Sequence, residues 1–276
     1  AESCTEPIGI VGGRARAGFV YCRLSGKPLD SREHMKARNY LACSLPVLFD
    51  VGFEETPYSI SGTCFIVEYQ RTMYVITAKH VIRGADPNSI LVPYYYGSRD
   101  FLPFNNYWEI NSNEDEDDTD YADLSILRID NGELDHDKFK KAQTYRLQTI
   151  YDVSLNIDRY SRFFIRGYPD LSCTVDYDDL VIRTEDAYLE GVYYEKSVSN
   201  HCHTIRIISD VSSIKDFDGL SGSPVFHESN KPHNKTAELV GILLRGTVSS
   251  KLVHFLELMV IYKALEELSN KGSNTL

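Results

Sequence analysis

The sequence lacks a surplus of positive charge. Its 276 residues include 29 lysines and arginines against 40 aspartates and glutamates, which gives a formal net charge of −11. A protein that binds nucleic acid neutralises phosphates with lysines and arginines gathered on one face, and the sequence contains no such surplus. The composition therefore argues against a nucleic-acid partner.

Long apolar runs are also missing. A membrane-spanning helix needs about 20 consecutive apolar residues, and the apolar stretches of this chain stop well short of that length. The chain does not begin with the charged, apolar and small-residue segments of a secretory leader. We therefore expect no membrane partner and a cytoplasmic location. Because the chain starts at Ala1 and not at a methionine, we expect a trimmed protein or one domain of a longer one.

Cysteine is scattered, so no clear metal site is visible. The six cysteines are Cys4, Cys22, Cys43, Cys64, Cys173 and Cys202. His201 and His203 share one face of a predicted strand and would suggest zinc together with Cys173, but the spacing for a four-ligand site is incomplete. We expect neither a metal nor a cofactor.

The acidic residues are concentrated in one segment, residues 111–120, which contains six of them. A calcium loop of the EF-hand type would need a turn glycine and a glutamate at its twelfth position, and this segment has neither. Because six buried carboxylates would repel one another, we expect a solvated acidic loop.

The chain does have enough apolar material for a sizeable core, with 42% hydrophobic residues. Short runs rich in β-branched and aromatic residues alternate with turn residues, as in Ser61–Val67 followed by Met73–Thr77. The same rhythm returns in Arg162–Pro169 and Thr204–Ile208. It predicts a β-barrel or β-sandwich. Residues 261–271 have helical periodicity and are expected to form a closing amphipathic helix.

One stretch has the composition of a nucleophile turn. Ser221 is flanked by Gly219 and Gly222, which lack a Cβ and can adopt conformations that point successive N–H groups into one space beside the serine hydroxyl. Such an arrangement makes an oxyanion hole. Pro224 then fixes φ where an apolar strand begins.

A serine nucleophile needs a base, and the base needs a group that orients it. His80 follows the apolar strand Tyr74–Thr77, and Asp123 precedes the apolar run Leu124–Ile129. Each of these residues, taken alone, is more often structural. Their combination with Ser221 in one order indicates a catalytic triad.

These three motifs resemble those of the trypsin-like (chymotrypsin-fold) serine endopeptidases. The likeness rests on T-A-x-H at Thr77–His80, D-L-S-I-L at Asp123–Leu127 and G-x-S-G-S-P at Gly219–Pro224, in that family's order and at about its spacing. It covers residues 46–268. It implies an all-β fold of two six-stranded antiparallel β-barrels, the chymotrypsin-like double barrel, with a C-terminal helix.

The resemblance also implies roles for individual residues. Ser221 would be the nucleophile, His80 the general base and acid, and Asp123 the residue that holds the imidazole. The backbone N–H groups of Gly219 and Ser221 would form the oxyanion hole. The implied peptidase domain consists of an N-terminal extension (1–45), a first barrel (46–135), a second barrel (136–258) and a C-terminal helix (259–276).

Two departures from secreted relatives define the branch. Such relatives bond a cysteine before the histidine strand to one directly after the histidine; Cys64 occupies the first place and Val81 the second, so that disulfide cannot form and we expect thiols. Residues 10–13 look like the activation N-terminus of secreted relatives, whose ammonium pairs with an aspartate before the serine. Leu220 holds that place here. The chain therefore resembles a non-secreted branch, bacterial or viral in kind, without the activation pair.

Substrate recognition by backbone pairing is implied by the same resemblance. The end of the strand Glu238–Thr247, with Leu244, Arg245 and Gly246, would pair antiparallel with the substrate, which then adds a strand. Arg245 replaces the aromatic residue that relatives often have there, so ordinary trypsin-like selectivity is not implied.

The walls of the primary pocket are expected from residues 213–218 and 245–254. Lys215 or His254 in that pocket would favour an acidic residue before the scissile bond, whereas Asp216 would favour a basic one. The sequence leaves both possibilities open.

Two classes of function follow. The first is a serine endopeptidase that cleaves polypeptides through an acyl-enzyme intermediate and is regulated by a partner protein, a fused domain or a ligand. The second is a latent or non-catalytic protease fold that binds peptides, because the departures at Leu220 and Arg245 could leave the pocket collapsed until a partner opens it.

Overall fold

The computed structural model describes residues 8–9, 19–23, 43–52, 58–82, 84–110, 120–147, 157, 161–169, 174–176, 181–228 and 237–273. Residues 10–13, Cys4, Cys173 and all of the acidic loop except Asp120 lie outside the described residues. None of the helices in the described ranges is long and apolar enough to cross a bilayer.

Short strands dominate the described chain. In the first half they are β1 (Ile8–Gly9), β2 (Phe19–Arg23), β3 (Ser44–Asp50), β4 (Tyr58–Tyr69), β5 (Thr72–Thr77), β6 (Ile90–Leu91), β7 (Phe104–Glu109), β8 (Ser125–Ile129) and β9 (Tyr145–Arg146). In the second half they are β10 (Arg162–Gly167), β11 (Thr174–Asp176), β12 (Val181–Glu185), β13 (Ala187–Lys196), β14 (Cys202–Ile207), β15 (Pro224–Glu228), β16 (Ala237–Thr247) and β17 (Leu252–Glu257). The helices are α1 (Lys79–Ile82), α2 (His136–Phe139) and α3 (Leu258–Ser273).

The second half closes into a barrel in the order β10-β13-β14-β17-β16-β15. All of its neighbouring strands are antiparallel. Residues two apart on one strand share its interior, as Phe163 and Ile165 do on β10 and Val253 and Phe255 on β17. These side chains are at most 1% exposed, so the barrel is filled by its own apolar residues.

The first half forms an eight-stranded sheet in the order β1-β7-β8-β5-β4-β3-β6, with β9 pairing parallel to β4. The all-β fold with a barrel and a C-terminal helix is thus confirmed. The first sheet differs from the expected closed barrel of six strands: two-residue strands stand at its edges, β1 and β6, and within the described residues no pairing joins them. A further small sheet, β11-β12-β2, includes a parallel pair of β12 with β2.

The two halves share one apolar cluster. It contains Ile76 and Leu127 from the first sheet, Leu244 and Leu256 from the outer face of the barrel, and Leu265 from α3. Each of these side chains is at most 2% exposed. Because interiors are close-packed, this cluster fixes how residues on one half face residues on the other.

Three cysteines lie in the core as thiols: Cys43, Cys64 and Cys202. Burial raises the pKa of Cys43 to about 12 and the pKa of Cys64 well above its ordinary value. Buried thiols of high pKa stay protonated, so Cys43 and Cys64 serve packing and are poor nucleophiles.

Candidate active site

His80 and Asp123 are brought together by strand pairing. β5 and β8 are antiparallel neighbours, with Thr77 opposite Ser125, so α1 after β5 lies beside the turn before β8. The Nδ1 atom of His80 is 2.6 Å from Oδ2 of Asp123, and the His80 backbone N–H donates to Oδ1 at 2.9 Å. A carboxylate can only accept, so Nδ1 carries a proton, and in the neutral form of the ring the lone pair is on Nε2. The His80 side chain is 47% exposed.

The turn around Ser221 needs its two glycines. Gly219 has a φ of 85° and Gly222 a φ of 88°, in the region that side chains with a Cβ disfavour. A methyl group on Gly222 would also lie 1.9 Å from the carbonyl oxygen of Thr63. The turn is therefore built against β4 of the other half of the molecule.

The backbone N–H groups of this turn alternate between bonded and unbonded. The Leu220 N–H donates to the Phe217 carbonyl at 3.1 Å, and the Gly222 N–H donates to a carbonyl of β16 at 2.8 Å. Among the described residues, the N–H groups of Gly219 and Ser221 have no hydrogen-bond acceptor. Two donors without acceptors, one of them on Ser221 itself, are what an oxyanion hole requires.

The two halves of the site meet at Gly62. A methyl group placed there would lie 2.8 Å from the Val81 side chain and 3.2 Å from the Ser221 carbonyl oxygen. Val81, which follows His80, and Ser221 thus contact the same glycine. The Ser221 hydroxyl donates to the Leu244 carbonyl at 2.6 Å, and no hydrogen bond joins it to His80 in the described part of the chain. For that bond the Ser221 hydroxyl would have to leave the Leu244 carbonyl, and catalytic hydrogen bonds often form only when substrate is bound.

The predicted walls of the primary pocket turn apolar side chains inward. Phe217 and Val253 are buried in the barrel interior, and Lys215 is exposed. Asp216 is half-buried and accepts the Asp218 N–H at 3.2 Å, which stabilises the turn. Both charged side chains therefore lie outside the apolar interior of the barrel.

Gly246 and Leu244 flank Arg245 on the strand expected to pair with substrate. Leu244 is buried, and a methyl group on Gly246 would lie 2.6 Å from Cγ1 of Val253. Val253 thus limits the space beside Gly246.

His254 belongs to a polar row across the barrel. It lies opposite Arg245 on β16 and opposite Thr204 on β14, with its Nδ1 atom 3.2 Å from the Thr204 hydroxyl. Burial, followed by the charge of Arg245, lowers the pKa of His254 below its ordinary value. The ring is therefore neutral near pH 7 and unsuited to binding a carboxylate as a cation.

Arg245 forms an ion pair that joins the two halves. It donates to Oδ2 of Asp120 at 2.6 Å, and the Ser199 hydroxyl donates to the same oxygen at 2.9 Å. The Asp120 side chain is only 8% exposed. The expectation of a solvated acidic loop over residues 111–120 is therefore wrong for its last residue, Asp120. Its carbonyl accepts the N–H of Asp123 at 3.2 Å, so the ion pair lies one turn from the residue that holds His80.

Replacing Arg245 by methionine is expected to lower the free energy of unfolding by about 1–3 kcal/mol, because a buried carboxylate loses its charged partner. In the Asp120→Asn background the same replacement should cost clearly less. Urea denaturation of the four proteins in this double-mutant cycle measures the coupling. Additive losses would contradict the ion pair.

The two histidines considered for zinc bind a glutamate instead. His203 Nε2 is 2.7 Å from Oε1 of Glu257, and His201 Nδ1 is 3.3 Å from Oε2. The hydrogen bond from His203, followed by that from His201, lowers the pKa of Glu257 from 4.5 to about 2. No group of three or more potential ligands is arranged for a metal in the described ranges.

Glu257→Gln is expected to destabilise the protein near neutral pH, and the loss should disappear in acid. A lowered folded-state pKa means that the carboxylate contributes stability above pH 4.5 and loses that contribution as the pH falls toward about 2. Thermal melts across this range measure the difference, with exposed Glu133→Gln as the matched control. A difference that stays constant with pH would contradict the assignment.

Comparisons with known proteins give matches in structure but none in sequence. No family model matches the chain, and no curated protein matches it in sequence. Among solved structures, the chain is similar to the HtrA-type protease AlgW with a tripeptide, at 14% identity and a TM-score of 0.49, over 86% of this chain and 64% of that one. The chain thus spans less than two thirds of that protein. At this level of similarity, function has to be inferred from the chain's own residues.

Proposed function

We propose that this protein is a serine endopeptidase that cleaves polypeptides through Ser221, His80 and Asp123. The observation that carries the proposal is the pair of hydrogen bonds between His80 and the Asp123 carboxylate. One comes from the ring Nδ1 at 2.6 Å and the other from the backbone N–H at 2.9 Å. This pair sets the tautomer that leaves Nε2 as the base. The two N–H groups without acceptors at the Ser221 turn support the same conclusion.

The reaction follows from these groups. The Ser221 hydroxyl turns from the Leu244 carbonyl to His80, its oxygen forms a bond to the substrate carbonyl carbon, and its proton passes to Nε2 of His80. Asp123 stabilises the resulting imidazolium, and the N–H groups of Gly219 and Ser221 bind the negative oxygen. The carbon–nitrogen bond breaks as His80 gives the proton to the leaving amine. Water then attacks the acyl carbon and gives a proton to His80, the bond between that carbon and the Ser221 oxygen breaks, and His80 returns the proton to Ser221.

The substrate would bind along Leu244–Gly246 and place an apolar residue before the scissile bond. The buried side chains of the predicted pocket walls, Phe217 and Val253, are apolar, and His254 is neutral. Val253 lies close to Gly246, and we expect it to narrow the adjoining space and so to favour a small apolar residue over a large one. Neither an acidic nor a basic residue is favoured at this position.

A mixture of peptides from a digested proteome tests the proposal. Incubation with the wild-type protein should create new termini that mass spectrometry detects, with small apolar residues enriched before the cut. Ser221→Ala should create none. Equal cleavage by both proteins would contradict the role of Ser221, and an enriched charged residue would contradict the apolar pocket.

A second candidate function is a latent protease fold that binds peptides until a partner protein, a fused domain or a ligand activates it. The bond of the Ser221 hydroxyl to the Leu244 carbonyl, and not to His80, favours this candidate. Peptides retained by the wild-type protein without being cleaved would support it. Cleavage by the chain alone would exclude it.

A further inference from the structure

Thr63 of β4 contacts the nucleophile turn from the other half of the molecule. Its backbone N–H donates to the Ser221 carbonyl at 3.0 Å. Its hydroxyl donates to the Gly219 carbonyl at 2.7 Å and accepts the Tyr168 N–H at 2.9 Å. The side chain is fully buried, so these bonds form away from water, where they are strongest.

These bonds explain why the N–H groups of the turn alternate. The peptide plane between Gly219 and Leu220 is held at both ends, its carbonyl by Thr63 and its N–H by Phe217. The plane after Ser221 is held in the same way, by Thr63 and by the carbonyl of Leu243. Because peptides are planar, two bonds fix the orientation of each unit. The N–H groups of Gly219 and Ser221 belong to the adjacent peptide units, which share the Cα atoms of Gly219, Leu220 and Ser221 with the two fixed units and so are oriented through them.

The direction of the Thr63 hydroxyl is itself determined. The Tyr168 N–H can only donate, so it occupies a lone pair of the oxygen, and the single hydroxyl hydrogen is left for the Gly219 carbonyl. A rotation of that peptide would break this bond. Because neighbouring peptides share a Cα atom, it would also reorient the peptides that carry the N–H groups of Gly219 and Ser221.

We propose that Thr63 is a positioning residue for the oxyanion hole, which acts through the carbonyls of Gly219 and Ser221 and does not touch the substrate. The proposal rests on the proposed function for its effect on chemistry. The sequence offers no sign of this role, because Thr63 reads only as a residue of an apolar strand.

Thr63→Val keeps the side-chain shape and removes the hydroxyl, and Thr63→Ser keeps the hydroxyl. The second-order rate of labelling by a fluorophosphonate should fall by about 10²-fold in Thr63→Val, the size expected for misplaced catalytic groups. Thr63→Ser should remain within a few-fold of the wild type. An unchanged rate in Thr63→Val would overturn the proposal.

Ser44→Ala is the matched control, since the Ser44 hydroxyl is also buried and donates across the two halves, to the Arg166 carbonyl at 2.6 Å. It should lower the melting temperature and leave the labelling rate unchanged. If it slows labelling as much as Thr63→Val, the effect is general destabilisation and the proposal is overturned.

Amide hydrogen exchange of the wild type tests the arrangement without any activity. The N–H groups of Leu220 and Gly222 should be protected, and those of Gly219 and Ser221 should exchange faster. Equal protection of all four would overturn the proposal even if Thr63→Val does not fold. If the wild type shows this exchange pattern but is not labelled by the fluorophosphonate, the proposed function is refuted. The arrangement of the turn by Thr63 would still stand.

Discussion

Asp123→Asn is expected to lower kcat about 10⁴-fold with the fold intact. The same exchange has an effect of this size in trypsin-like proteases. The asparagine amide would donate to Nδ1 of His80 or leave it without an acceptor, so the proton would move to Nε2. Nε2 would then be unable to accept the Ser221 proton. The His80 backbone N–H could still donate to the amide oxygen, which is why the loop should survive.

Initial rates on a peptide identified from the cleavage mixture measure this effect. Asp137→Asn is the matched control, because Asp137 is an exposed aspartate on α2 whose side chain binds Lys140 and no other residue of the described ranges. Turnover of Asp123→Asn close to that of the wild type would refute the triad.

Gly222→Ala is expected to lower the free energy of unfolding by more than about 2 kcal/mol, because two penalties combine. The residue has a φ of 88°, and its new methyl group would lie 1.9 Å from the Thr63 carbonyl oxygen and 2.6 Å from the Thr77 hydroxyl. Neither neighbour can move easily, since both are fully buried. Relief would have to come from the nucleophile turn itself, so activity should be lost as well.

Gly97→Ala separates the two penalties. Gly97 has a φ of 86°, but a methyl group there would have nothing within 4 Å. Its loss of stability in urea denaturation should therefore be only about 1–2 kcal/mol, the cost of the left-handed conformation. Equal losses for the two variants would show that the approach of β4 to the Ser221 turn is not close.

The local features of the candidate site could be predicted from the sequence. His80 and Asp123 stand at the ends of apolar strands, and the glycines around Ser221 are needed at positive φ. Each of these signals lies within a few residues of the position it marks. The all-β fold followed from the same kind of local pattern.

Contacts between distant parts of the chain could not be predicted in this way. The acidic neighbours of Asp120 predict a side chain in solvent. Its burial is possible because it pairs with Arg245, which is 125 residues away in sequence. The hydrogen bond from Thr63 to Gly219, 156 residues later, leaves no recognisable sequence pattern in either segment. The sheet edges at β1 and β6 depend on strand pairings that cannot be predicted from strands of only two residues.

The choice between charged residues at the primary pocket was undecided for a related reason. Lys215, Asp216 and His254 are equally polar in the sequence, and only burial separates them. The structure exposes Lys215, engages Asp216 in a turn and lowers the pKa of His254. Of the residues in the two predicted wall segments of the pocket, Phe217 and Val253 belong to the apolar interior of the barrel.

Labelling with a fluorophosphonate, read by mass analysis of the modified peptide, tests the central claim most directly. The reagent reacts with a serine that has a working base and an oxyanion hole, and needs no knowledge of the natural substrate. The account predicts one adduct, on Ser221, that disappears in both Ser221→Ala and His80→Ala. An adduct that survives in His80→Ala, or a folded wild type that is not labelled at all, would contradict it.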